Sequence, residues 1–285
     1  MKKLSYFLPL LALWSCEKEL DYELPDPGPQ IVIDTRLKSG QGMEVFLSES
    51  VYSLSSAEPK SRDDFEAWLY TDDPASPFQL TAEAYNPGYE PQFVYRTPHQ
   101  VIAGQNYRLV VRGPGFPEAT VSERVPGPVE IDTVTYNRTD KEFTFRFKDD
   151  GATDDYYMIT VNELGADDLV YSSLDLALEF FEFQDFIGDS EFDGRQYGFV
   201  SYLKDDDFNG KTRELKVRIE GETSAVFVEL RLHHISSSYY RHELTKSAYN
   251  YSDGFFSEPS QIYSNVENGY GIMATSASSV RRVQF

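Results

Sequence analysis

The sequence predicts a mainly β protein, two sandwich-like domains behind a cleaved leader and a lipidated tether, with one short helix near residues 238–251. Three observations predict it. Short runs rich in β-branched and aromatic residues recur along the chain and are separated by turn residues. Val125-Pro-Gly-Pro-Val129 interrupts strand pairing near the middle, because proline lacks the donor that a ladder needs. Beyond it, Phe143, Phe145 and Phe147 alternate strictly with Thr144, Arg146 and Lys148, the mark of a strand with one dry face and one wet one.

The leader comes first. Lys2 and Lys3 precede an apolar run from Leu4 to Trp14, broken by Ser5 and Pro9, and Leu13-Trp14-Ser15-Cys16 closes it. This is the layout of a signal peptide. The run is too short to cross a bilayer as a helix, and the acidic segment after it is no stop-transfer signal. Cys16 is the single cysteine, which excludes a disulfide framework. Leu at minus three and Ser at minus one before that cysteine resemble the bacterial lipobox, although Trp14 stands where a small residue is usual. Residues 1–15 are therefore expected to be removed and the Cys16 thiol to carry the lipid. Residues 16–29 follow as a tether whose Leu24-Pro-Asp-Pro-Gly-Pro29 stretch suits neither a helix nor an interior strand.

The first domain, residues 30–126, contains the runs Ile31–Ile33, Glu44–Leu47, Phe65–Tyr70, Phe93–Tyr95 and Tyr107–Val111, with clear turns at Asn86-Pro87-Gly88 and Ala103-Gly104-Gln105-Asn106. Strands this short and this regularly interrupted predict an immunoglobulin-like sandwich. The second domain, residues 127–285, continues with Tyr156–Val161, Gln196–Leu203, Leu215/Val217/Ile219 and Val226/Val228/Leu230/Leu232. Residues 174–183 fit a strand better than a helix. The helix follows Ser236-Ser237-Ser238, which offers an N-cap, and Tyr240, Leu244, Ser247/Ala248 and Tyr251 are spaced to share its apolar face.

Charge excludes some partners. Cleavage takes away two of the 26 basic residues and none of the 47 acidic ones, leaving a net charge of −23. Such a chain binds no nucleic acid, and it cannot hold an anionic bilayer by charge. The acyl chains must supply the attachment. With 20 Tyr and 20 Phe the chain has ample material for a core.

Few residues point to chemistry. Asp205, Asp207 and Asn209 with Gly210 match the first half of a calcium loop, but Lys216 stands at the twelfth place where a bidentate Glu belongs. Asp189 to Gly194 nearly repeats the pattern, so the favoured reading is a pair of Asx-Gly turns, with no metal or cofactor beyond the lipid. His233 and His234 are adjacent on a strand pattern and face opposite sides, which spoils them as a chelating pair. No nucleophile elbow, free thiol or phosphate-cradling loop occurs, so no catalytic residue and no enzymatic activity are expected. The tyrosines at 239, 240, 249, 251, 263 and 270 suggest either sheet packing or an aromatic platform for sugars or peptides.

The closing stretch, Phe255-Phe-Ser-Glu-Pro259 and then Ile262 to Ile272, resembles the C-terminal signature of a Bacteroidota lipoprotein family called domain of unknown function 4249. Gly104, Tyr107 and Leu109, the run Asp154-Asp155-Tyr156-Tyr157 and the Phe-Asx-Gly turns at 192–194 and 208–210 resemble the same family in order, and residues 17–23 resemble that phylum's signals for lipoprotein export to the exterior. The resemblance implies immunoglobulin-like sandwiches and the company of TonB-dependent β-barrel receptors; it carries over no catalytic residue. Asn268-Gly269 and Gly271 favour a tightly turned loop carrying Asn265, Glu267 and Tyr270, which either closes the sandwich or meets a ligand or partner. The expected function is an outer-membrane lipoprotein, exposed on the cell exterior, that acts without catalysis as an accessory or cargo-capturing partner of a TonB-dependent transporter. The alternative is an independent adhesin or glycan- or peptide-binding module.

Overall fold

A computed structural model describes residues 28–284 apart from residues 53–55, 74, 87–91, 165–169, 174–175, 179–182, 190–195, 220–226 and 252–260. Cys16, the repeat of the Asx-Gly turn at 190–194 and the Phe255–Pro259 part of the closing signature lie outside the described residues. The architecture is mainly β, as the alternation and turn spacing predict, and its strands make two sandwiches.

The first is built from β1 (Ile31–Lys38), β2 (Gly42–Glu49), β3 (Lys60–Ser61), β4 (Glu66–Tyr70), β5 (Phe78–Tyr85), β6 (Gln92–Gln100), β7 (Asn106–Arg112) and β8 (Ala119–Arg124). β1, β2, β3 and β6 share one layer, and β4, β7 and β8 the other. β5 belongs to both, pairing with β4 through residues 78–80 and with β6 through 81–85. Period-two patterning drives the assembly: Ile31, Ile33, Val45 and Leu47 from one layer meet Ala67, Leu69, Leu109, Val111 and Val121 from the other, all buried. Tyr107 anchors the turn before its own strand, its hydroxyl accepting from the Ile102 amide at 2.8 Å and donating to Gln105 Oε1 at 2.8 Å.

The second sandwich uses β9 (Ile131–Asn137), β10 (Glu142–Lys148), β11 (Tyr156–Leu164), β12 (Val170–Ser173), β13 (Leu176–Leu178), β14 (Phe183–Asp189), β15 (Gln196–Lys204), β16 (Thr212–Ile219), β17 (Phe227–Ile235) and β18 (Gly269–Gln284). β9, β10 and β16 form one layer; β15, β11, β17 and β18 form the other, and β13 pairs with both β15 and β16. Phe143, Phe145 and Phe147 are fully buried between them, against Tyr157, Ile159 and Val161. The residues from 176 to 178 are strand, the conformation their alternation favours.

β18 ties the two bodies together. Its first half runs parallel to β1, Ile31 opposite Gly269 through Lys38 opposite Ser276, and its second half runs antiparallel to β17, Ser276 opposite Ile235 through Gln284 opposite Phe227. One strand thus completes both sandwiches. Side chains from β17 and β18 also grip the connection between β8 and β9: Thr275 Oγ1 donates to the Arg124 carbonyl at 2.7 Å, His234 Nδ1 to the Gly127 carbonyl at 2.8 Å, and Arg281 to the Ile131 carbonyl at 2.6 Å.

Helix α1 (Ser237–Tyr251) covers this junction. Ser236 is its N-cap, the Oγ accepting from the Tyr239 amide at 3.2 Å. Tyr239 and Tyr240 pack on Met158, Ile272 and Ala274. The buried face keeps Tyr240 and Ser247 of the expected set, but Leu244 is 40% exposed and Ala248 is exposed too, while Glu243 faces inward. Arg36, at 3.2 Å, and Lys246, at 3.6 Å, compensate the buried Glu243 carboxylate, so an ion pair to β1 overrides the apolar spacing.

Candidate functional site

Of the closing-loop residues, Asn265, Glu267 and Asn268 are held by the fold. Asn265 imitates a neighbouring strand: its Oδ1 accepts from the Met273 amide and its Nδ2 donates to the Met273 carbonyl, both at 3.0 Å. Glu267 makes a two-way backbone bridge with Thr120 at the edge of β8. Asn268 takes a left-handed φ of 54° and its Nδ2 reaches the Glu118 carbonyl at 3.3 Å. Tyr270, 43% exposed, presents a ring to solvent. Among the described side chains the tyrosines do not assemble into a platform: Tyr239 and Tyr240 are buried and Tyr263 lies under the Arg241 guanidinium at 4.1 Å; the Tyr251 side chain lies outside the described residues.

A cleft of about 580 Å³ opens beside β1, β2 and β6, lined by Asp34, Arg36, Lys38, Glu44, Phe46 and Arg96 among others. Each arginine is shared between two carboxylates, Arg36 between Asp34 (2.8 Å) and Glu243 (3.2 Å), Arg96 between Glu44 and Glu83 (both 2.7 Å). The carboxylates hold both guanidinium charges in place and raise their pKa further, against burial in the case of Arg36. The surface therefore alternates in sign around an apolar ring.

A third arrangement lies at one end of the second sandwich. Among the described residues, the group of acids close enough to share an ion is Asp149, Asp155 and Asp205, all buried, with one carboxylate oxygen of each within 4.8 Å of the others. Asp149 directly follows β10 and Asp155 directly precedes β11; Asp205 begins the turn from β15 to β16. Two glycines bring these turns together. Gly151 (φ 72°) and Gly210 (φ 71°) pack so tightly that a β-carbon on Gly151 would lie 2.5 Å from Gly210 Cα, and both amides donate to Asp149 Oδ2, at 3.1 and 2.6 Å. The Tyr157 hydroxyl donates to Asp149 Oδ1, and burial together with that carboxylate pushes the phenol far up.

Asp155 Oδ1 accepts from Thr153 Oγ1 at 2.9 Å and His234 Nε2 at 3.1 Å. Burial pushes its carboxyl up, but these two bonds and the His234 charge outweigh it and hold the pKa below the usual range. Both His234 nitrogens face acceptors, Asp155 and the Gly127 carbonyl, which only the imidazolium satisfies. Its pKa is accordingly raised, the carboxylate overcoming burial. Asp205 differs. It is fully buried, and neither side-chain oxygen has a hydrogen-bond partner among the described residues. Burial pushes its carboxyl up, and the charges of Asp149, Asp155 and Asp154 reinforce it.

Of the three residues of the half-matched calcium loop, only Asp205 joins this group. Its backbone carbonyl accepts from Phe208 and Asn209, both at 2.8 Å, which curls the segment into a turn and leaves Asp207 and Asn209 exposed. Asp149 and Asp155 did not stand out as ligands in sequence, because neither sits in a ligand spacing with Asp205. The available signal was two aspartate-glycine turns, 149–151 and 205–210, each between strongly alternating strands. His233 and His234 face opposite ways as the strand period requires, His233 to Thr160 and Ser278, His234 to Asp155.

A family model with the description Domain of unknown function (DUF4249) matches residues 17–282. No curated protein compared with the chain matches it. Among solved structures, a crystal structure of bovine butyrophilin is similar at 8% identity over 72% of this chain and 91% of that one; its TM-score of 0.20 carries no argument. Since the family model spans nearly the whole sequence, the chain belongs to the DUF4249 family.

Proposed function

We propose that the protein is an outer-membrane lipoprotein, anchored through Cys16 and facing the cell exterior, that binds a TonB-dependent β-barrel transporter and captures or presents its cargo without catalysis. The observation that carries this reading is the position of the charged cleft. It lies beside β1, the strand that directly follows the tether, and Ile31 is 15 positions beyond Cys16, a span of at most about 50 Å when fully extended. A lipid on Cys16 keeps the cleft within reach of the outer loops of a neighbouring barrel, and its alternating arginines and carboxylates suit polar peptide segments of that kind. β18 adds to this by joining both sandwiches to β1, so that a partner held by either is tied to the same anchor.

The test is copurification of the native, tagged protein from solubilised outer membranes. A β-barrel receptor should be recovered with it, and Arg96→Glu, which reverses the charge on one wall of the cleft, should reduce that recovery without moving the protein from the membrane. Repeated recovery of the folded protein with no β-barrel would end the proposal. The exposed rings of Tyr249 and Tyr270 favour a second reading, an independent glycan- or peptide-binding module; an array probed with the protein that bound no glycan or peptide would count against it.

A further inference from the structure

We infer that Asp149, Asp155 and Asp205 form a binding site for a hard divalent cation, calcium, that fastens the β10–β11 and β15–β16 turns together. The geometry rests on three points. First, the donor set is all carboxylate oxygen from three separate places in the chain, the chemistry calcium prefers, and oxygens within 4.8 Å of one another can lie around an ion at 2.3–2.6 Å from each. Second, Asp205 is aimed into the group with both oxygens unpartnered and no exposed surface, whereas Asp149 is oriented by three hydrogen bonds, from two glycine amides and the Tyr157 hydroxyl, and Asp155 by two, from the Thr153 hydroxyl and the His234 imidazole. A buried acceptor with no donor costs free energy that an ion would return.

Third, the second ligand is itself held in place. His234 lies between Asp155 Oδ1 and the Gly127 carbonyl, 3.1 and 2.8 Å away, which fixes the direction of the Asp155 carboxylate. The site differs in kind from a contiguous calcium loop: Asp207 and Asn209 take no part, and the other two aspartates come from the neighbouring β10–β11 turn. Through His234 the same group reaches the Gly127 carbonyl, so the ion would also steady the connection between the two sandwiches.

Calcium titration of the EDTA-treated full-length protein tests this, with thermal unfolding and calorimetry as readouts. One calcium per chain should bind, and the Tm should rise by about 3–6 °C at tenfold excess over Kd. Because the chain is strongly acidic, sodium chloride of matched ionic strength is the control for screening. Asp205→Asn should lose the calcium-specific rise, and Asp207→Asn should keep it. The proposal is overturned if wild-type protein shows no binding up to about 10 mM calcium, tenfold above the weakest extracellular sites, if sodium chloride reproduces the whole shift, or if Asp205→Asn retains it. Should Asp205→Asn fail to fold, terbium bound to the wild type decides: emission sensitised by Tyr157, saturating at one ion per chain and displaced by calcium, supports the site, and emission that does not saturate overturns it.

Discussion

Gly271 lies so close to Ile33 on the neighbouring strand that a β-carbon on it would fall 1.9 Å from the Ile33 carbonyl oxygen and 2.8 Å from the carbonyl carbon. Its φ of 107° adds to the penalty, since L side chains rarely adopt it. This contact sets the parallel register of β1 and β18. Gly271→Ala should therefore cost about 3–5 kcal/mol in urea denaturation, strain and overpacking together. Gly115→Ala is the control: that glycine has a φ of 84° but open space around it, and the expected cost is about 1 kcal/mol.

Asn265 completes the hydrogen bonding of Met273, a residue with no exposed surface, at a place where no strand continues the ladder. Asn265→Ala should cost about 2–3 kcal/mol, because the amide and the carbonyl of Met273 are both left without partners and without water. Asn265→Asp should cost about 1 kcal/mol more. Its second oxygen would face the Met273 carbonyl and Glu123, whose carboxyl is already pushed up by burial. Urea midpoints in the order wild type, Ala, Asp would bear this out; an aspartate variant as stable as wild type would refute the role assigned to the amide.

The strands legible in sequence were those with one wet face. Phe143, Phe145 and Phe147, or Ile31 and Ile33, alternate because solvent meets every second residue. β18 was not legible, although it is the longest strand. From Ile272 to Ala277 it is buried on both faces, with Met273 in the first core and Ile272 and Ala274 under the helix, and its small residues Ala274-Thr-Ser-Ala-Ser-Ser279 fit that crowding while erasing any period. The helix was found by its serine cap, and Tyr240 and Ser247 of its inner face with it, but the inward turn of Glu243 in place of Leu244 was not, because the Arg36–Glu243 pair is a contact between residues far apart in sequence. For the same reason Asp205 was visible in its turn, whereas Asp149 and Asp155, brought to it by the Gly151–Gly210 contact, were not.

His233 offers a pH dependence with a defined sign. It lies between β11 and β18, one nitrogen 3.1 Å from Thr160 Oγ1 and the other 2.7 Å from Ser278 Oγ, and burial, followed by the charges of Arg231 and Lys38, pushes its pKa from 6.5 down to about 3. The unfolded chain takes up a proton below 6.5 that the folded chain refuses. Stability from this group is whole above pH 6.5 and is lost as pH falls from there to about 3, at roughly 1.4 kcal/mol per unit. His233→Gln keeps a polar group for the two hydroxyls and removes the titration. The difference between the two stability curves should narrow steadily as pH falls below 6.5; a constant offset would place the acid sensitivity elsewhere.

Cys16 bears the attachment if the anchoring proposal is right, and its replacement separates lipid from every other route to the membrane. A chain with a net charge near −23 after cleavage is repelled by anionic headgroups, and among the described residues no helix is long and apolar enough to cross a bilayer. Acyl chains contribute about 0.8 kcal/mol per buried methylene, so a single chain holds marginally and several hold firmly. Cys16→Ser should move the protein from the membrane pellet to the soluble fraction, or leave it unprocessed with residues 1–15 attached, as read by fractionation and intact mass. The residue precedes β1 in sequence, so urea stability of the released form should match that of wild type. A serine variant that matured normally and pelleted with the membrane would show that another segment, not the thiol, holds the protein there.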